Sequence, residues 1–184
     1  LGGGAVFSRI RKEGSFVLSS GVKSSYNYDY SQLSDTMNEA YCSALKQKLD
    51  AWRSKHGKFD VIVGCETEGI RIGYVLSKLI GLPFHIMPKK STDYAEVVIP
   101  PYSMDAHWLI VDDIVTTGST YIKAVNLLDI EEKPKSITFA CMIKRNPANL
   151  DYSSVQGDLN KEQFHVRDER FDFIDKRLVA LHSE

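Results

Sequence analysis

The stretch Ile110-Val111-Asp112-Asp113-Ile114-Val115-Thr116-Thr117-Gly118-Ser119-Thr120 decides how this chain is read. The apolar run from Trp108 to Val111 predicts a buried strand, and it stops at two adjacent carboxylates. A turn of small residues follows and opens into a helical pattern carried by Tyr121, Ile122, Val125 and Leu128. Free N–H groups at a helix start, with the positive end of the dipole behind them, suit a phosphate dianion. Gly118 lets the backbone approach such an anion, and the hydroxyls of Thr116, Thr117, Ser119 and Thr120 add donors. Asp112 and Asp113, just upstream, can accept hydrogen bonds from the paired hydroxyls of a sugar. A ligand with a phosphate at one end and a ribose next to it satisfies both halves. The plainer reading, Thr and Ser as ordinary helix caps, needs only one such residue and leaves the acidic pair unexplained.

Working outward, short apolar runs alternate with helical patterns. Residues 32 to 56 carry Leu33, Met37, Tyr41, Leu45, Leu49 and Trp52 at helical spacing and end at Gly57. Phe59 to Val63, closed by Gly64, reads as a buried parallel strand, and Gly69 to Ile80 as a helix stopped by Gly81-Leu82-Pro83. Phe84 to Met87 is a second short strand, broken by Pro88; Ser136 to Ile143 is another. Residues 91 to 107 read as a long connection with an edge strand at Val97 to Ile99. Strands alternating with helices predict an α/β fold, a doubly wound parallel sheet. Ligands of such sheets bind beyond the carboxyl ends of the strands, where the Asp-Asp turn and the loop after Val63 both emerge.

Composition sets limits on this picture. With 184 residues, one α/β domain is expected, and 43% hydrophobic content is enough for its core. Lys and Arg number 23 against 24 Asp and Glu, so no global field points to nucleic acid or a membrane, and no apolar run has membrane-spanning length. An anionic ligand must then be met by local devices. The three cysteines, Cys42, Cys65 and Cys141, read as reduced thiols of a cytoplasmic protein rather than a disulfide framework. Leu1-Gly2-Gly3-Gly4 is too short and too glycine-rich for a signal peptide and reads as a processing remnant.

The Asp112 to Thr120 stretch closely resembles the signature of the type I phosphoribosyltransferases, enzymes that use 5-phosphoribosyl 1-pyrophosphate (PRPP). The match runs through four apolar residues, two acids, two more apolar residues and the Thr-Thr-Gly-Ser-Thr loop. The resemblance implies the fold of that family, with a small hood built from residues 1–32. It implies that Asp112 and Asp113 contact the ribose hydroxyls, steady its developing positive charge and serve Mg²⁺. It implies that Thr116, Thr117, Gly118, Ser119 and Thr120 hold the 5-phosphate. The loop Cys65-Glu66-Thr67-Glu68-Gly69 would bind pyrophosphate, in the family often through a non-proline cis peptide. It resembles the adenine enzymes' Gly-x-Glu-x-Arg-Gly and, less closely, the orotate enzymes' loop. Glu68 departs from the pattern, because an acid facing pyrophosphate repels it unless a cation intervenes or the side chain turns away.

Within the family the orotate enzymes are nearest. Residues 16 to 30 resemble their amino-terminal Leu-Lys-Ser-Gly-x-x-Ser-Pro-Tyr-Phe through Ser20, Gly21, Ser24 and Tyr26, while the substrate-contacting lysine falls at Ser19 and the proline at Ser25. Lys23 is the available substitute for that charge, Tyr26 and Tyr28 are candidates to flank a planar base, and Arg145 stands where an arginine binds the substrate carboxylate. Lys89 and Lys90 match the basic pair that opens the catalytic lid, but Ser91-Thr92-Asp93-Tyr94 has no lysine, histidine or glycine of the family's Lys-x-His-Gly element. The resemblance therefore implies a Mg²⁺-dependent transferase moving ribose 5-phosphate from PRPP to a nucleobase, orotate first and a purine second, as a homodimer in the cytoplasm. The depleted lid and Ser19 keep a second reading open, a PRPP-binding regulator without transferase activity. Residues 151–184 carry no family motif; a strand or helix packed at the edge, or an oligomer contact, is expected there.

Overall fold

The computed structural model describes residues 3–18, 21–89, 106–131, 136–151 and 172–184. The sheet is built from β3 (Val61–Cys65), β4 (Phe84–Met87), β5 (His107–Val111), β6 (Ile114–Val115), β7 (Ser136–Lys144) and β8 (Leu178–Ser183), in the hydrogen-bonded order β4-β3-β5-β7, with β6 and β8 both pairing β7. Every pairing in it is parallel. Ile143 and Lys144 pair with β8 on one edge and with β6 on the other, so β6 continues the path of β5 along β7. The order reverses between β3 and β5, since β3 is followed by β4 on one side and β5 lies on the other. That reversal is the topological switch point at which open α/β sheets bind ligands.

Three long helices cover the sheet: α2 (Asp35–His56), α3 (Glu68–Ile80) and α4 (Ser119–Glu131). Helix α2 starts where the Ser34 side chain accepts from the Met37 N–H at 3.2 Å, and it ends at Gly57 with φ 101°. Burial on both sheet faces follows the strand alternation. Ile62, Leu109, Val111, Ala140 and Met142 face the α2 and α3 side with Tyr41, Leu45, Leu49, Ile72 and Leu76. Val61, Val63, Trp108, Ile110, Phe139 and Cys141 face the α4 side with Tyr121 and Ala124. All five residues of β3 are buried, as an interior parallel strand requires.

The amino-terminal segment forms a separate layer. Helix α1 (Gly3–Ile10) includes two of the glycines read above as a processing remnant, and it docks through Phe7, whose ring lies 4.8 Å from that of Tyr41. Strands β1 (Arg11–Val17) and β2 (Lys23–Tyr28) then pair antiparallel as a two-stranded sheet. Strand β2 alternates exposed and buried residues, and its inward face meets the ends of β7 and β8. The tail supplies β8, which lengthens the parallel sheet along Phe139 to Lys144. The expected edge strand at Val97 to Ile99 lies outside the described residues, as do Lys90, Ser19 and Ser20.

Candidate functional site

The carboxylate pair sits where β5 gives way to β6. Asp112 N–H donates to the Ala140 carbonyl, and the Asp113 carbonyl accepts from Met142 N–H at 2.9 Å and Ile143 N–H at 3.1 Å, so the backbone stays tied to β7 through both acids. Each carboxylate accepts from the next backbone N–H, Asp112 from Asp113 at 2.9 Å and Asp113 from Ile114 at 2.8 Å. Asp112 is buried and Asp113 half-buried. Burial, then the charge of Asp113, pushes the Asp112 carboxyl well above the usual carboxylate range, with Lys89 opposing; burial likewise raises Asp113. Two carboxylates in this position favour a proton or a cation.

After β6 the chain turns through Thr116, Thr117 and Gly118, the last with φ 77°, and α4 begins at Ser119. A φ of that sign favours glycine and aims the following N–H groups around the turn. Thr117 is buried, its Oγ1 accepting from Ser119 N–H at 3.4 Å, and the Gly118 carbonyl accepts the first helical bond from Ile122. The first-turn N–H groups of α4 have no helical partners and sit within a few residues of the acidic pair. Tyr121 fixes the helix start, its O–H donating to the Ala140 carbonyl at 2.5 Å while its ring lies 4.7 Å from that of Phe139. The sequence marked Tyr121 only as one apolar position of the helix; its anchoring role depends on β7, which no local pattern reveals.

The loop after β3 meets the acidic pair at the switch point. Its Glu66–Thr67 peptide is cis. A Cβ on Gly69 would lie 2.5 Å from the Val111 carbonyl oxygen and 3.3 Å from Asp112 Cα, so only glycine fits where the first turn of α3 crosses the end of β5. Glu66 does not point freely outward: its Oε2 accepts from the Lys89 backbone N–H at 2.7 Å, and its own N–H donates to Met87. Glu68 turns to Arg71, with Oε2 to Nε at 3.3 Å, which resolves the repulsion expected of an acid in this loop. Arg71 also donates to the carbonyls of Leu33 at 2.7 Å and Tyr30 at 3.0 Å, tying α3 to the segment that enters α2. Burial raises the Glu68 carboxyl, Arg71 lowers it, and Asp113 and Asp29 add to the rise. Arg71 was not singled out from the sequence, where it is one basic residue on a helix.

The candidate base-binding residues separate. Lys23 lies on the exposed face of β2, opposite to Ser24, Tyr26 and Tyr28, and pairs through its backbone with Asp151. Tyr26 is buried with Arg11 at 3.9 Å and Arg145 at 4.2 Å over its ring, distances too short for two guanidinium groups to share one face. A ring so covered has no face left to stack on a base, which corrects the expected flanking role. Arg145 is fully buried at the end of β7, its N–H donating to Val115 at 2.9 Å, and its Nη2 reaching Ser24 Oγ at 2.7 Å. The structure thus brings together Cys65 to Gly69, Lys89, Asp112, Asp113 and Thr116 to Thr120 at one crevice, with Arg145 beside it and Lys23 outside.

Among the described residues, no group of three or more carboxylates, imidazoles or thiols is placed to hold a metal. The adjacent oxygen donors of Asp112 and Asp113 nevertheless fit Mg²⁺, which is commonly held by one or two carboxylates and completed by substrate phosphates. Within the described residues no helix is long and apolar enough to cross a membrane.

A family model described as a phosphoribosyl transferase domain matches residues 30–166. An orotate phosphoribosyltransferase of Sulfurisphaera tokodaii is 30% identical over 64% of this chain and 60% of that protein. One of Bartonella bacilliformis is 27% identical over 76% of this chain and 71% of that protein. An adenine phosphoribosyltransferase of Acetivibrio thermocellus is 30% identical over 47% of this chain and 61% of that protein. The chain spans about 60% of the length of the first curated relatives it matches. In structure, the orotate phosphoribosyltransferase of Aeropyrum pernix superposes with a TM-score of 0.64 at 19% identity, covering 98% of this chain and 93% of that one. At that identity the likeness establishes the fold.

Proposed function

The chain belongs to the phosphoribosyltransferase domain family, and on that premise we propose that it transfers ribose 5-phosphate from PRPP to a nucleobase nitrogen, with orotate the leading acceptor. The observation that carries the reading is the meeting of the Asp112–Asp113 strand end, the α4 N-terminal loop and the β3 loop at one switch point. Relatives named as orotate enzymes support the choice of acceptor, and the adenine relatives keep a purine as the second.

In the proposed reaction the bond from ribose C1 to the pyrophosphate oxygen breaks, a bond from C1 to the base nitrogen forms, and the base gives up the proton on that nitrogen. Thr116 to Thr120 anchor the 5-phosphate with N–H groups and hydroxyls. Asp112 and Asp113 accept from the ribose hydroxyls and offer negative charge as the ring becomes cationic. Cys65 to Gly69 present backbone groups to the pyrophosphate, and Lys89 and Lys90 supply positive charge there. Mg²⁺, held by Asp112 and Asp113 together with PRPP oxygens, would neutralise the departing phosphates. The proposal extends to a homodimer working in the cytoplasm, in keeping with three buried free thiols.

The test is pyrophosphate release from PRPP with and without Mg²⁺ against orotate, uracil, adenine and hypoxanthine. Release that depends on both orotate and Mg²⁺ is expected. PRPP binding with no release on any base would replace the transferase by a regulator.

A further inference from the structure

The surroundings of Arg145 hold a carboxylate that the proposed reaction does not use. The Arg145 guanidinium is fully buried, and its Nε and Nη1 have no hydrogen-bond partner among the described residues. Its remaining nitrogen is occupied by Ser24 Oγ and, at 3.2 Å, the Tyr26 carbonyl. A buried cation in that state needs a counter-charge. The chain supplies one just after β8: Glu184 Oε1 stands 3.9 Å from Arg145 Nε. Three donors hold this carboxylate. Tyr26 O–H reaches both oxygens at 2.9 and 3.0 Å, Tyr28 O–H donates at 2.6 Å, and the Asn146 backbone N–H at 3.1 Å. Two phenols, an amide N–H and a guanidinium make a carboxylate receptor, and Glu184, the residue that follows β8, fills it. The receptor adjoins the phosphate loop, because Arg145 N–H donates to the Val115 carbonyl immediately upstream of Thr116.

We infer that Glu184 determines acceptor specificity by competing with the carboxylate of an incoming base for Arg145, Tyr26 and Tyr28. The inference rests on the phosphoribosyl reading of the crevice. At 3.9 Å Glu184 neutralises Arg145 without hydrogen-bonding to it, so two guanidinium nitrogens remain for a second carboxylate. Two carboxylates in one buried receptor repel each other, so the incoming one gains its place only as Glu184 gives way. A base without a carboxylate meets no such competition. Residue 184 therefore narrows the advantage a carboxylated base gains from Arg145, without removing orotate as the leading acceptor.

Orotidine 5′-monophosphate and uridine 5′-monophosphate differ by one carboxylate and share the ribose and phosphate, so they isolate this effect. Both are titrated calorimetrically into the full chain, Glu184→Gln and Glu184→Ala, with circular dichroism reporting the fold of each. Glutamine keeps the shape and can still accept from the phenols, but carries no charge. The ratio of orotidylate to uridylate affinity is expected to rise at least about tenfold in Glu184→Gln, the scale of a charged against a neutral hydrogen-bond partner, and to move the same way in Glu184→Ala. An unchanged ratio in the folded variants, with both nucleotides bound, overturns the inference. If neither nucleotide binds any of the three proteins, the phosphoribosyl reading falls first and takes the inference with it.

Discussion

Gly69 lies against the Val111 carbonyl oxygen so closely that a Cβ at position 69 would stand 2.5 Å from it. This contact joins the two halves of the candidate site, because Val111 is the last residue before the acidic pair and Gly69 lies in the first turn of the helix after the β3 loop. The neighbour is backbone, which cannot rotate away. Gly69→Ala is therefore expected to push the loops apart, costing about 1–3 kcal/mol of stability as overpacking does. It should weaken PRPP binding more than its effect on the melting temperature alone accounts for. Calorimetry and thermal unfolding on the same sample decide this; full PRPP affinity in a folded Gly69→Ala protein would show that the two loops do not act on one ligand.

The acidic pair sets stability against function. The Asp112 carboxyl is raised well above the usual carboxylate range, first by burial and then by Asp113. A raised folded-state pKa means that stability from this group is full below the unfolded value and is lost as pH rises through the folded one. At neutral pH the unliganded chain carries that loss. Asp112→Asn is expected to raise the melting temperature of the ligand-free protein at pH 7.5, by roughly 2–4 °C for each kcal/mol relieved. The gain should shrink on acidification, as the carboxyl takes up its proton in the unfolded chain as well. The same change should lower turnover more than PRPP affinity, because the carboxylate matters most when the ribose is cationic. A ligand-free protein that melts lower in Asp112→Asn at pH 7.5 would refute the stability half of this argument.

Thr117 is buried in the turn before α4, with its hydroxyl accepting from Ser119 N–H. Thr117→Leu replaces that oxygen with a branched apolar group where the phosphate is expected to lie. PRPP affinity should fall by at least about tenfold, since the anion needs unobstructed N–H groups, while the larger side chain at a buried position costs no more than about 1–3 kcal/mol of stability and leaves the protein folded. Equal affinity in Thr117→Leu by calorimetry would move the phosphate site elsewhere.

What the sequence disclosed depended on whether the signal was local. Strand β4 is bounded as expected because Pro83 and Pro88 stand at its two ends; α2 ends at Gly57 as expected but begins at Asp35, three residues later than the periodicity predicts, because Ser34 caps it there. Strand β3 is shifted two residues along from the expected Phe59 to Val63: Gly64 lies inside it rather than closing it, and glycine is needed there because a Cβ would meet the Gly69 carbonyl oxygen at 2.4 Å. Strand β1, Arg-Lys-Glu-Gly-Ser-Phe-Val, is exposed along most of its length and so lacks the alternation that reveals a strand. The acidic pair and phosphate loop were legible because their chemistry is contiguous. Glu184 was not, since its tyrosine partners lie 158 and 156 residues away and meet it only once β8 has paired with β7.

Tyr28 offers a test of that long-range contact through pH. Burial first, and then the hydrogen bond to Glu184, raise its phenol to about 12. Because the folded value lies above the unfolded value near 10, the stabilisation is fully present below pH 10 and is lost as pH rises toward about 12. Tyr28→Phe removes the phenol and leaves Glu184 one donor short. It is expected to cost about 1–3 kcal/mol at pH 8, the range for a hydrogen bond to a charged group, measured by urea unfolding. At pH 11 the difference between the two proteins should be smaller, since the native protein has by then lost part of what the variant never had. The other buried tyrosines are common to both proteins and cancel. A difference that stays constant or widens between pH 8 and pH 11 would mean that Tyr28 does not hold its proton for Glu184.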